Sequence, residues 1–341
     1  MVEHIPVFFE GQDDLIDILA TSMCSICYNT KSFIDFYILD CGIHKFNKKQ
    51  LETLKEKFNN FSIKYIPIDL KQFDGLQGYR KGFVDCYSRL LIPELVKDID
   101  KAIYLDTDTI AIDDIKKLWE EDLGEYELGA VSDIGFTKSL HDNAIKNLDV
   151  SIDHIILNAG MLLIDCKKWR KNNTSNNLLK IAKKYNNSFI AIDEEILSNY
   201  YSTNNYKRLD NRYNLSDRAN ELGKVFSEIK DSYLKNEWNS VVVQHFSPDK
   251  PWLTSINSFS KDTIKNFNSF WFFAKMTPFY FGMSNRYNQN VASIASSNTF
   301  SNKNKKIYKL FNFIPLLKIE IKNNNKIYKL FGFIPLLKIK G

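Results

Sequence analysis

Apolar and polar positions along the first two-thirds of the chain follow two alternating rhythms. Short β-branched and aromatic runs, "IPVFF" (5–9), "FIDFYILD" (33–40), "SIKYIPID" (62–69) and "AIYL" (102–105), have the length and composition of strands. Between them lie helix-like segments: "DDLIDILATSMCSICYN" (13–29) with aspartates in its first turn, a stretch near 48–59, and "FVDCYSRLLIPELV" (83–96), interrupted by Pro93. Further strands are expected at "LGAVSD" (128–133), "MLLID" (161–165) and "SVVVQHF" (240–246). Further helices are expected near 175–185 and 193–201 and, rich in aromatics, around 259–275. Strand and helix in turn predict an α/β fold, a mainly parallel sheet with helices on both faces. In such sheets ligands bind beyond the carboxyl ends of strands.

The pattern changes near residue 284. "SNRYNQNVASIASSNTFSNKNK" (284–305) is polar and reads as a linker. Beyond it "KIYKLFNFIPLLKIEIKNNN" (306–325) is followed by "KIYKLFGFIPLLKIKG" (326–341), the same unit twenty residues on. Two copies are too few for a solenoid. Each combines lysines with an aromatic and leucine-rich patch, too short to span a bilayer and suited to an anionic membrane surface. A packed C-terminal hairpin or a partner-binding tail is the alternative. The expected organisation is a single domain over 1–283, a linker over 284–305 and a basic amphipathic tail over 306–341.

Charge sharpens this division. The formal net charge is +5, yet the chain from Ser301 onward holds ten lysines against one glutamate, so the remainder is mildly acidic. A nucleic-acid reader carries its positive face on the folded domain, and no nucleic-acid partner is expected. Five cysteines in a chain of 341 residues fit a reducing compartment. Cys24 and Cys27 form a C-x-x-C that no second pair completes, and they read as one buried helix face. No opening stretch resembles a signal peptide, and no apolar run reaches the roughly 20 residues of a membrane span. A cytoplasmic protein is therefore expected.

Chemistry concentrates where the strand "AIYL" stops at Asp106-Thr107-Asp108. Carboxylates at the end of an apolar strand are costly to bury unless a cation or several donors compensate them. Two chemistries suit the pair. Both can hold a divalent cation that neutralises a departing nucleotide diphosphate. Alternatively, "LDTDTI" fits the D-x-D-x-T pattern of haloacid-dehalogenase-like phosphatases, with one aspartate as nucleophile and the other as general acid. A non-catalytic sugar- or membrane-binding protein is the remaining alternative. "VQHFSPDKPW" (243–252) adds His245 at a strand end, able to complete a cation's ligand set, and Lys250, able to meet a phosphate. Asn158-Ala159-Gly160 adds a small-residue turn that a sugar can approach closely.

In order along the chain, "YSRL" (87–90), "YLDTDTI" (104–110), "GAVSD" (129–133), "NAGMLLID" (158–165), "DEEIL" (193–197) and "HFSPDKPW" (245–252) resemble the motifs of glycosyltransferase family 8. This family of retaining sugar transferases includes bacterial lipooligosaccharide galactosyltransferases and glycogenin. The resemblance covers roughly residues 5–255. It implies a GT-A fold, the Rossmann-like architecture of nucleotide-diphospho-sugar transferases. It further implies a UDP-galactose or UDP-glucose donor, Mn²⁺ (or Mg²⁺), and a glycan or lipid-linked acceptor such as lipopolysaccharide at the inner face of the cell membrane. Carried over motif by motif, Asp106, Asp108 and His245 would ligate the metal, with Thr107 between the aspartates. Lys250 would contact the diphosphate, and Arg89 and Asp133 the donor sugar. Asn158, Ala159 and Gly160 would line the sugar pocket, with Asp193 and Glu194 beside the anomeric carbon. Residues 8–15 would receive uracil and ribose. Gln12 stands where the family commonly has the uracil-binding aspartate, leaving Asp13 and Asp14 as substitutes. The segment from His245 to Lys250 is one residue shorter than usual and lacks its glycine. Glu194 replaces the glutamine of the galactosyltransferases.

Overall fold

A computed structural model of the chain describes residues 3–79, 83–132, 138–151, 154, 156–202, 205–216, 240–247, 250–253, 261–299, 305–310, 314–322, 325–330 and 334–340. It forms two compact units, Met1–Pro251 with Ile256–Phe281, and Trp252–Ser255 with Gly282–Gly341.

The first unit opens with β1 (His4–Gly11), α1 (Ile16–Asn29), β2 (Phe33–Asp40), α2 (Lys45–Glu52) and β3 (Phe61–Pro67). A 3-10 turn over Asp85–Leu91 leads into α3 (Ile92–Leu95), and then come β4 (Lys101–Leu105), β5 (Thr109–Ala111), α4 (Lys116–Trp119) and β6 (Leu128–Ser132). There follow α5 (Lys138–Asn147), β7 (Leu157–Asp165), α6 (Cys166–Lys171), α7 (Thr174–Lys184), α8 (Ile192–Tyr200) and β8 (Lys207–Arg208). The unit closes with β9 (Leu215–Ser216), β10 (Val243–His245) and α9 (Lys261–Ala274).

The main sheet runs β3-β2-β1-β4-β7-β6-β8. Its first four strands are parallel, and their apolar runs, such as Ile5, Val7, Phe8 and Phe9 in β1, are buried, as strands covered on both faces must be. β7 runs antiparallel to both β4 and β6, a reversal absent from the simple parallel expectation. This reversal has a consequence for chemistry. It lays the start of β7, Asn158-Ala159-Gly160, beside the carboxyl end of β4, where Leu105 pairs with Met161.

A smaller sheet, β5-β10-β9, stands next to this edge. Helix α1 holds it through small polar side chains on one face: the Ala111 N–H donates to Ser25 Oγ at 2.8 Å, and Asn29 donates to the Ala111 carbonyl at 2.9 Å. The segment expected as one helix over 83–96 is instead the 3-10 turn followed by α3, whose first turn contains Pro93. Proline lacks an N–H that the start of a helix does not need, so it begins a helix here rather than breaking one. Cys24 and Cys27 lie buried on α1, both as free thiols.

Helix α10 (Tyr280–Thr299) covers most of the stretch expected as a linker. From residue 284 to Thr299 that stretch contains no glycine or proline, and polar composition alone does not prevent a helix. In the second unit the duplicated tail forms β11 (Lys305–Leu310), β12 (Ile314–Lys322), β13 (Asn325–Leu330) and β14 (Ile334–Lys340), an antiparallel sheet in chain order. Each copy of the repeat is one hairpin. Among the described residues no helix is long and apolar enough to cross a membrane.

Candidate active site

The turn between β4 and β5 carries Asp106, Thr107 and Asp108, each half-buried. Its backbone is pinned from three sides. The Asp106 N–H donates to the Gly160 carbonyl at 2.8 Å, Thr109 Oγ1 to the Asp106 carbonyl at 2.8 Å, and the Phe246 N–H to the Asp108 carbonyl at 3.0 Å. His245, opposite Thr109 in the β10–β5 pairing, therefore faces the aspartates across the small sheet. Its Nε2 lies 3.2 Å from Asp108 Oδ1 and 3.9 Å from Asp106 Oδ2.

A hydrogen-bond relay sets the orientation of that imidazole. Asn158 donates to Glu194 Oε1 at 2.8 Å and accepts from Asn214 Nδ2 at 2.6 Å. Asn214 Oδ1 then faces His245 Nδ1 at 2.9 Å. Because the Asn214 amide nitrogen is spent on Asn158, its oxygen accepts, so Nδ1 carries a proton and Nε2 is the ring nitrogen turned to the aspartates. With Nδ1 held in this way, Nε2 is the atom that can take a proton or meet a cation. Gly160 makes the packing possible, since a Cβ there would stand 2.4 Å from His245 Cε1. Burial disfavours the charged imidazolium, but Asp108 and Asp106 outweigh it and raise the His245 pKa.

Arg89, buried in the 3-10 turn, is the hub of the other half of the site. Its guanidinium lies on the Tyr104 ring, 4.5 Å from the centroid. It pairs with Glu10 at 3.0 Å, Asp106 at 3.0 Å and Asp193 at 2.8 Å, and donates to the Ala159 carbonyl at 3.2 Å. Ser88 adds a 3.2 Å bond to Glu10. Burial pushes the Glu10 carboxyl up to about 8 against the pull of Arg89, and raises Asp193 in the same way. Burial would also raise Asp108, but Lys250 and His245 hold it well below the usual carboxylate range. Lys250 donates to Asp108 Oδ2 and to the Phe246 carbonyl.

The structure brings together Arg89, Asp106, Thr107, Asp108, Asn158, Ala159, Gly160, Asp193, Glu194, His245 and Lys250 through the contacts above or their immediate chain neighbours. Gln12 donates to Asp85 at the end of β1. Asp13 is exposed and occupied at the start of α2, accepting from the His44 N–H at 2.8 Å and Asn47 at 2.9 Å, bonds that lower its pKa. Asp14 is exposed beside it. Asp133 lies outside the described residues. Two members of the network were not singled out by the sequence: Asn214, and Glu10, which was expected only as part of the 8–15 stretch. Glu195, next to the expected pair, does a different job: its carboxylate accepts from the Ile190 and Ala191 N–H groups at 2.6 and 2.8 Å, closing the start of α8.

Asp106, Asp108 and His245 each offer a ligand atom, all within 4.8 Å of one another. Ligands about 2.1 Å from one divalent ion lie about 3.0 Å apart when adjacent and about 4.2 Å when opposite. The separations of His245 Nε2 from Asp108 Oδ1 and Asp106 Oδ2, 3.2 and 3.9 Å, fall in this range.

Solved structures share the architecture. The galactosyltransferase LgtC, in complex with donor and acceptor sugar analogues, superposes with a TM-score of 0.65 at 22% identity, over 80% of this chain and 96% of that one. The bifunctional glycosyltransferase WbbM superposes with a TM-score of 0.69 at 20% identity, over 83% of this chain and 51% of WbbM. The fold is thus of the GT-A kind, with an Asp-Asp-His cluster at the strand ends. The family model for glycosyl transferase family 8 matches residues 6–255, and the chain belongs to that family. Among relatives, a Haemophilus influenzae protein with a provisional glycosyltransferase name is 29% identical over 72% of both chains. The lipopolysaccharide 1,3-galactosyltransferase of Salmonella typhimurium is 22% identical over 66% of this chain and 65% of its own. Nothing in these comparisons supports the phosphohydrolase or binding-protein alternatives.

Proposed function

We propose that the protein transfers galactose or glucose from a UDP-sugar to a hydroxyl of a glycan acceptor, with retention of configuration. In this reading Asp106, Asp108 and His245 hold Mn²⁺ or Mg²⁺. The observation that carries it is the convergence of these three ligand groups with Arg89, Asp193 and Glu194 in one network. A divalent cation bound there would offset the charge that develops on the leaving diphosphate.

The remaining roles belong to the chain. Lys250, a cation poised on Asp108, would turn to the donor's phosphates. Arg89 holds Asp193 toward the sugar pocket, which Asn158, Ala159, Gly160 and Asp133 would complete. Residues 8–15, with Gln12, Asp13 and Asp14, would receive uracil and ribose. Asn158 engages one oxygen of Glu194, and Arg89 pairs with Asp193, so both carboxylates that would stand beside the anomeric carbon are tied to donors. Glutamine, which stands in place of Glu194 in the galactosyltransferases that the sequence resembles, is a poor nucleophile, and this favours attack by the acceptor from the face the diphosphate leaves. The acceptor proton then passes to the departing phosphate oxygen.

The lipopolysaccharide galactosyltransferase among the relatives supports a lipopolysaccharide or other lipid-linked acceptor. The lysine-rich tail supports work at the inner, anionic face of the cell membrane, an attraction that salt would weaken. The test is UDP release from UDP-galactose and UDP-glucose with Mn²⁺ and in chelator. Asp108→Asn should cost at least about 10²-fold in turnover, near 3 kcal/mol. Turnover unaffected by chelator would remove the metal from the proposal.

A further inference from the structure

The two copies of the tail repeat are matched in pairing as well as in sequence. Residues 306–319 and 326–339 differ only at Asn312 and Gly332. In the first hairpin Tyr308 pairs with Leu317 and Ile307 with Lys318; in the second Tyr328 pairs with Leu337 and Ile327 with Lys338. Each has the same irregularity, between Tyr308 and Lys309 and between Tyr328 and Lys329. The hairpins join through β12 and β13, with Leu317 opposite Leu330, Lys318 opposite Lys329 and Ile319 opposite Tyr328. The tail therefore contains one complete repeat-to-repeat junction.

Both surfaces of that junction occur a second time. The Ile334–Ile339 sequence of β14 repeats Ile314–Ile319 of β12, and Lys306–Leu310 of β11 repeats Lys326–Leu330 of β13. Among the described residues β11 and β14 each pair on one side only. An edge strand presents a row of main-chain donors and acceptors that templates another chain. Here the internal junction shows which strand and which register satisfy it.

We infer that the tail is a self-association module in which β14 of one copy pairs antiparallel with β11 of a second copy. Moving the internal register by one repeat places Leu337 opposite the partner's Leu310, Lys338 opposite the partner's Lys309 and Ile339 opposite the partner's Tyr308. The two surfaces differ, so the contact is head-to-tail and propagates beyond a dimer. Lysine faces lysine in this register, as Lys318 faces Lys329 within the chain. Like charges directly opposite oppose pairing, so salt strengthens the association. Docking on an anionic membrane has the opposite salt dependence.

The test is sedimentation velocity of the full chain from about 5 to about 100 µM, at low and high salt. It is joined by disulfide capture between separately tagged Lys309→Cys and Lys338→Cys chains. Of the native cysteines four are buried and Cys41 is half-buried, so the parent mixture is the background control. The expected result is a mass that grows with concentration and with salt. The matched pair should cross-link at least about tenfold more than Lys309→Cys with Lys340→Cys, each variant keeping the parent's thermal melt. Ending the chain after Asn324 should preserve association, because β11 and β12 retain both surfaces; ending it before Ser301 should abolish it. A monomer throughout the range overturns the inference. So does association without register preference, or association seen only with phosphatidylglycerol vesicles.

Discussion

Gly160→Ala tests whether the imidazole at the site is held where a cation requires it. The new Cβ would stand 2.4 Å from His245 Cε1, 2.9 Å from His245 Nδ1 and 2.9 Å from Asn158 Oδ1. Carbon contacts settle at about 3.5–4.0 Å, so the ring must withdraw by about 1 Å. The backbone of β10 cannot move with it: His245 is paired with Thr109 on one side and Ser216 on the other. The ring instead turns, weakening the 2.9 Å bond to Asn214 and moving Nε2 away from the aspartates. A lost hydrogen bond plus overpacking costs about 1–3 kcal/mol of stability. Misplacing a metal-site group by about 1 Å costs on the order of 10²-fold in turnover, and losing the orienting partner weakens metal binding by about 10–100-fold. Calorimetric titration of Mn²⁺ into the parent, Gly160→Ala, His245→Ala and the double variant measures this directly. If the effect runs through His245, the double variant binds no worse than His245→Ala alone. Parental Mn²⁺ affinity and turnover in Gly160→Ala would refute the reasoning, as would fully additive losses in the double variant.

Three further outcomes are expected. Asn214→Ala should weaken Mn²⁺ binding by about 10–100-fold in the same titration, and Asn214→Asp, which keeps an acceptor for Nδ1–H, should recover most of it. Glu194→Gln should keep UDP-sugar turnover within about tenfold, whereas a nucleophile would lose roughly 10³-fold; a glycosyl adduct on Glu194 in mass spectrometry would overturn front-face attack. Asp40 is buried, which would raise its pKa, but Lys48 and the Ile43 and Gly42 N–H groups lower it overall. A carboxylate depressed in the folded state stabilises the fold above its unfolded pKa of about 3.9 and loses that contribution as pH falls through the folded value. Asp40→Asn should therefore lower stability by about 1–3 kcal/mol at pH 7, and denaturant melts of parent and variant should converge at acid pH.

Much of the fold and half of the site were legible in the chain, for identifiable reasons. The strands of the parallel half announce themselves because both faces are buried, leaving long apolar runs such as Phe33–Asp40. Direction carries no such mark. "MLLID" reads the same whether β7 runs with its neighbours or against them, so the reversal that brings Gly160 to Asp106 was invisible. Asp106, Asp108 and His245 sit in short motifs that mark them in the sequence, and the fold brings their ligand atoms within 4.8 Å of one another. Asn214 acts through its bonds to His245, thirty-one residues away, and to Asn158, and its surroundings, "RYNLS", carry no pattern that says so. Residues 284–299 are hydrophilic yet helical, because composition says little about helix formation where no glycine or proline interrupts it.

Glu10 ends the apolar run Ile5–Phe9, within the 8–15 stretch expected at the donor site and ahead of the more polar Gln12, Asp13 and Asp14. Asp13 is engaged in starting α2, and Gln12 with Asp85. The carboxylate that enters the site is Glu10, which shares the single guanidinium of Arg89 with Asp106 and Asp193. One guanidinium serves three partly buried carboxylates, and burial raises Glu10 and Asp193 against its pull. Asp108 is balanced separately by Lys250. Asp106 therefore stands between a guanidinium that it must share and an imidazole 3.9 Å away. A divalent cation held by Asp106, Asp108 and His245 would add positive charge beside the Arg89 cluster and would compete with Lys250 for Asp108. Lys250 would then be available to a phosphate. The two aspartates that close the β4 run would be tolerable to the fold because such a ligand completes its electrostatics.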